Sequence, residues 1–175
     1  MNTPEKLIES FGGLTKVKDL IRTHASSDIY CHTTGKWYPQ KYWYDNQMNH
    51  YHGTPMLHLI NAFNALDKII CLGGSFDGRV DYFKYDGQHE VRIYDQQEEP
   101  KYHDYSRYNQ YATEEAIQPK LSKLSFYRVK KYRIGNITKL FLIAPELINN
   151  EEKLLELVKD NWVCGYRLQN YNQLS

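Results

Sequence analysis

The stretch that decides the fold reads Phe126-Tyr-Arg-Val-Lys-Lys-Tyr-Arg-Ile134, then Gly135-Asn136, then Ile137-Thr-Lys-Leu-Phe-Leu-Ile143. Two runs rich in β-branched and aromatic residues flank a pair of turn-forming residues, the pattern of two strands joined tightly. A hairpin is therefore predicted, Phe126–Ile134 with Ile137–Ile143. From Lys120 to Lys139 every charged side chain is positive: Lys120, Lys123, Arg128, Lys130, Lys131, Arg133 and Lys139, with Phe126, Tyr127 and Tyr132 among them. Alternation places cations on both faces near the turn, where the ribbon would project into solvent.

A second hairpin is predicted just upstream. Arg79–Tyr85 and Gln88–Tyr94 flank Asp86-Gly87, a favoured two-residue turn. That register sets Asp81 opposite Arg92 and gives Val80, Tyr82, Val91 and Ile93 one apolar face. Ile69-Ile70-Cys71-Leu72 reads as a buried strand closed by Gly73-Gly74. The adjoining Ser75-Phe76-Asp77-Gly78 has neither the lysine nor the helix of a phosphate loop, so the segment reads as a turn.

Helical signals surround these strands. Thr3-Pro4-Glu5 is a helix start, Leu7, Ile8 and Phe11 share a face, and Gly12-Gly13 ends the run. A second helix starts at about Thr15 with Leu14, Val17, Leu20 and Ile21 inward. A helix-turn-helix reading would add a recognition helix after Ser26-Ser27-Asp28, but the next segment, Thr33–Pro39, breaks early and carries little positive charge. A plain helical hairpin packed on a sheet is the better expectation. Trp37, Tyr38, Tyr42, Trp43 and Tyr44 then cluster among polar residues, suited to covering the core or to docking a partner. Thr54-Pro55 repeats the Thr-Pro start, and Met56, Leu59, Ile60, Phe63 and Leu66 predict a core-facing helix over 55–68. A last helix starts near Asn149, with Asn149 and Glu152 at capping-box spacing, and Val163–Leu168 suggests a final strand.

The 175 residues suit one domain spanning 1–175, with 41% apolar content. Lysine and arginine number 22 against 21 acidic residues, so no global field favours nucleic acid or membrane, although local patches can. Three cysteines, Cys31, Cys71 and Cys164, make a poor disulfide framework, and neither a signal peptide nor a membrane span is expected. A cytoplasmic location is expected. The 16 tyrosines supply area that is both apolar and polar, as binding surfaces use. Residues 95–119 are acidic and then rich in tyrosine, with Tyr102, Tyr105, Tyr108 and Tyr111 every third position.

One further motif invites chemistry: Asn49-His-Tyr-His-Gly-Thr-Pro55. On a strand His50 and His52 point the same way, as a metal pair would, with His58, Asp77, His89 and His103 as scattered further donors. Tyr51-His52-Gly53-Thr54 resembles the His-Gly-Thr strand of ADP-ribosyltransferases of the diphtheria-toxin type. That resemblance implies NAD binding at His52, with Tyr94 and Tyr105 as the stacking pair and Glu146 or Glu152 as the later glutamate. A pair of histidines with Tyr105 or Tyr108 also resembles nicking enzymes of the His-hydrophobe-His class, which implies a metal-dependent nuclease. The plainer reading explains each residue without chemistry: the histidines finish a strand, Gly53 turns, Thr54 caps and Pro55 starts the helix.

The expected architecture is α+β, a mainly antiparallel sheet built from two hairpins and packed against N-terminal, central and C-terminal helices. The expected function is a non-enzymatic binding protein that regulates or inhibits a macromolecular partner, either a nucleic acid or a nucleic-acid-handling protein. A small inhibitor, immunity or phage-encoded regulatory protein would suit this composition. Arg128, Lys130, Lys131, Tyr132, Arg133 and Lys139 are the expected contacts, with Trp37, Tyr42 and Trp43. No cofactor or metal is expected in this reading; the alternative is an enzyme that uses His50 and His52 with NAD or a metal, assisted by Tyr105.

Overall fold

A computed structural model describes residues 3–46, 53–94 and 124–168. The first helix, α1 (Pro4–Ser10), starts where Thr3 accepts a hydrogen bond from the Lys6 amide, and Gly12 and Gly13 at positive φ turn the chain into α2 (Leu14–Thr23). Asp28 then folds the loop back on itself, its carboxylate accepting from the Ala25 amide and lying 3.3 Å from His24. The next element is strand β1 (Ile29–Cys31), not a recognition helix. It pairs antiparallel with β2 (Lys36–Tyr38) on one side and with β3 (Gly53–Pro55) on the other. A short helix, α3 (Gln40–Asp45), drops Trp43 into the small core made by Ile29 and Cys31.

Helix α4 (Met56–Ala65) starts one residue later than expected, with Pro55 at the cap position and no side-chain cap. Thr54 is a strand residue opposite Tyr30, and its hydroxyl meets His32 at 2.7 Å. Gly53, expected to turn the chain, is extended strand backbone, where an added Cβ would stand 2.6 Å from Ile29 Cγ2 and 2.9 Å from Trp43.

The larger sheet holds β4 (Lys68–Leu72), β5 (Val80–Tyr82), β6 (Glu90–Tyr94), β7 (Leu124–Ile134), β8 (Ile137–Ile143) and β9 (Tyr166–Arg167). Its order is β5-β4-β8-β7-β6, with β9 also on β8. All pairs are antiparallel except β4 with β8, so the fold is α+β with a mostly antiparallel, mixed sheet. The β7–β8 hairpin forms as expected, closing with Ile134 opposite Ile137. The other predicted hairpin does not: β5 pairs with β4, Asp81 lies opposite Ile69, and β6 lines up on β7 at the far edge. The physical reason is β4, five consecutive buried residues whose backbone needs partners along both edges. It takes β5 on one side and β8 on the other.

Each sheet face has its own core. On one, Ile70, Leu72, Phe141 and Ile143 meet Ile8, Val17, Met56, Leu59 and Phe63 of the first helices, and Leu154 and Val158 of α5 (Glu151–Asp160). On the other, Ile69, Cys71, Leu140 and Leu142 are closed over by Phe76, Ile93, Tyr127 and Leu168. Helix α5 is capped by Asn150, which accepts from the Lys153 amide; the capping residue is one place later than the Asn149 box predicted. Among the described residues no helix is long and apolar enough to cross a membrane.

Candidate binding surface

Strand β7 is paired twice, but not over its whole length. Strand β6 accompanies it from Leu124 to Arg128, and the Val129 amide still donates to His89 O at 2.9 Å. Beyond that point one edge of β7, from Lys130 to Ile134, has no neighbouring strand among the described residues, while β8 stays on its other side throughout. The predicted basic ribbon is therefore an edge, and its cations divide between two faces.

Lys131 and Arg133 belong to the face of Tyr127 and Val129. The Lys131 ammonium sits 5.9 Å from the centre of the Tyr85 ring, and Arg133 Nε donates to Gly135 O at 2.8 Å, inside its own turn. Charges of this kind on a bare strand edge oppose pairing with another chain. Lys139 and Tyr132 face the helices. Lys139 Nζ donates to the Trp162 carbonyl at 2.8 Å and lies over the Trp162 ring, and burial lowers its pKa. Burial likewise raises the pKa of Tyr132, whose ring packs edge-on to Phe141. Both are half-buried and lie away from the exposed rings of β6 and β7.

Arg128 and Lys130 share the helix-side face with Tyr132: Arg128 is exposed, and Lys130 is half-buried with its ammonium 5.9 Å from the centre of the Tyr132 ring. Pairing with β6 brings three more residues into line: Glu90 opposite Arg128, Arg92 opposite Phe126, and Tyr94 opposite Leu124. Phe126, Leu124 and Tyr94 are 41%, 49% and 56% exposed, which for neighbouring large apolar side chains makes a continuous patch. The Arg92 guanidinium lies 5.3 Å from the centre of the Phe126 ring. Three cations, Arg92, Arg128 and Lys130, accompany one acid, Glu90, and none of the three joins an ion pair with a described residue. Flat rings and cations alternate across a rigid antiparallel pair.

The aromatic group at 37–43 lies elsewhere. Trp37 is half-buried and packs with Phe11, Tyr30 and His24, fixing the small sheet to the helical hairpin. Trp43 is 1% exposed and offers no area to a partner. Tyr42 remains 41% exposed, stacked on Tyr38 with ring centres 4.5 Å apart. His50, His52 and Tyr105 fall outside the described residues, as does the acidic segment after Tyr94. Among the described residues no three His, Cys, Asp or Glu side chains gather closely enough to hold a metal ion.

Sequence reasoning picks out Arg128 and Lys130, with Phe126 among the rings of the ribbon, but passes over Arg92 and Tyr94 as parts of this surface. Their signal is alternation: Arg92 and Tyr94 take one parity of β6, and Phe126, Arg128 and Lys130 one parity of β7. Only the pairing of these two strands joins the two sets.

No protein-family model, curated protein or solved structure matches this chain.

Proposed function

We propose that this is a non-enzymatic binding protein that regulates or inhibits its partner's activity by holding single-stranded nucleic acid on the exposed part of the helix-side face of β6 and β7. The observation that carries the reading is the registered set Arg92, Tyr94, Phe126 and Arg128, exposed on one sheet face with the half-buried Lys130 beside them. Exposed rings on a flat sheet accept bases by stacking, worth about 1–3 kcal/mol per base, and this contact tolerates any sequence. Arginine and lysine beside them meet the phosphates and release condensed counterions. Three cations against one carboxylate give the face the sign that such a strand needs.

Fluorescence anisotropy with a labelled poly-thymidine oligonucleotide tests this. Three phosphate contacts predict that log affinity falls with log salt at a slope of about −2. The triple substitution R92E/R128E/K130E should abolish binding, and K131E/R133E, on the other face, should weaken it far less. If affinity stays constant as salt is raised, or if the triple variant binds like the wild type, a protein surface is the better description of the partner.

A further inference from the structure

Strands β4 and β9 share one edge of β8. Strand β4 pairs with Leu142 and Ile143, and β9 with Lys139 and Leu140. Where they part, the sheet forks, and the fork opens into a cavity of about 490 Å³, a size typical of small-molecule sites. Its walls include Leu66, Trp162 and Gly165, and its charged lining is Lys68, Lys139, Arg167 and Asp67.

Lys68 is the unusual member. It is 5% exposed, and a lysine buried that far ordinarily has a carboxylate partner. Among the described residues it has none within ion-pair distance. Its ammonium donates to Leu66 O at 3.3 Å and rests 4.4 Å from the centre of the Phe63 ring, which leaves donor capacity over. Lys139 repels it, and Asp67 offsets this only in part, lying beyond ion-pair distance. The Cys164 thiol, pushed up by burial, stays protonated at neutral pH. Three cations around one acid leave the cavity short of about two negative charges.

We infer that the fork between β4 and β9 binds a small phosphate monoester, its phosphate held by Lys68, Lys139 and Arg167 and its organic part against Trp162. A dianion matches the missing charge, and charge-assisted hydrogen bonds from lysine and arginine are the ordinary means of holding phosphate. Arg167, the exposed residue of β9, supplies the planar fork, and the lysines supply charge from below. The inference is independent of the β6–β7 surface.

The test is calorimetry and thermal denaturation with phenyl phosphate as probe, and succinate as the carboxylate control. Phenyl phosphate should bind and raise the melting temperature, because a ligand of the folded state stabilises it. R167M, at an exposed side chain, should fold normally and bind about tenfold more weakly or worse. K68M should lose binding altogether. Raising the pH from 7 to 9 should weaken binding to the wild type, because Lys68, held down to about 8 chiefly by burial, loses its proton in that range while the phosphate stays dianionic. If K68M does not fold, R167M and the pH series decide. No binding of phenyl phosphate at millimolar concentration, equal binding by R167M, or tighter binding of succinate would overturn the assignment.

Discussion

The hydroxyl of Tyr127 donates to the Gly73 carbonyl oxygen at 2.8 Å. The hydroxyl oxygen in turn accepts from the Phe76 amide at 2.9 Å, so a side chain on β7 fastens the turn after β4. The turn cannot easily be rebuilt, because Gly73 and Gly74 both have positive φ and stand against Leu147, Ala144 and Tyr127 itself. Tyr127 is fully buried, and burial raises its pKa, keeping it a donor.

Replacing Tyr127 with Phe leaves the Phe76 amide and the Gly73 carbonyl without their partner, while the ring still fills its place. The expected cost is about 1–3 kcal/mol. Urea denaturation of Tyr127→Phe should show a lower midpoint with an unchanged m-value. A midpoint equal to the wild type would mean that the turn is held by other contacts.

Gly53 makes a second prediction. Its backbone is extended, so strain plays no part; space decides. An alanine there must push against Ile29 and Trp43 and against the Tyr30 carbonyl 3.0 Å away. Overpacking of this kind costs about 1–3 kcal/mol. Gly53→Ala should therefore lower the melting temperature, and near-ultraviolet circular dichroism should show the Trp43 environment changed.

Lys68 governs a pH effect of unusual direction. Burial holds its pKa down to about 8, so between pH 8 and about 10.5 the unfolded chain carries the proton and the folded chain does not. Stability contributed by this group thus rises with pH across that window, by at most about 3 kcal/mol. Cys71, pushed up to about 12 mainly by burial, opposes it, since its unfolded thiol ionises first. The difference between wild type and Lys68→Met isolates the lysine. In urea denaturation without added ligand, the methionine variant should be the more stable at pH 7, and its advantage should shrink steadily toward pH 10. A difference independent of pH would contradict the burial of a charged amine.

The parts of this fold that are legible in the sequence are those set by neighbours in the chain. Thr3 capping at Lys6, the apolar spacing from Met56 to Phe63, and the two strands around Gly135-Asn136 each depend on a few adjacent residues. Caps shift by one place, from Asn149 to Asn150 and from Thr54 to Pro55, because adjacent residues compete for the same role. The Asp86-Gly87 hairpin fails for a different reason: β4 needs a partner more than β6 does, and nothing between Val80 and Tyr94 encodes that demand. The binding face is half legible. Arg128 and Lys130 stand out as charges and Phe126 shares their strand, but their company of Arg92 and Tyr94 depends on two strands far apart in the chain.

Substitutions on that face should separate binding from stability. Phe126 is 41% exposed on a strand, so Phe126→Ala should cost about 1 kcal/mol of stability and leave the protein folded. If a base stacks on it, the same change should weaken oligonucleotide binding by about 1–3 kcal/mol. Competition anisotropy beside a thermal melt reads both quantities.

The most direct measurement of the central claim is a titration of the isotope-labelled protein with a poly-thymidine oligonucleotide, monitored by amide chemical shifts. Shifts should concentrate on Glu90–Tyr94 and on β7 from Leu124 to Lys130, and Val80–Tyr82 at the opposite edge should stay still. Saturating oligonucleotide that leaves β6 and β7 unmoved, or that moves only residues elsewhere, would contradict that claim.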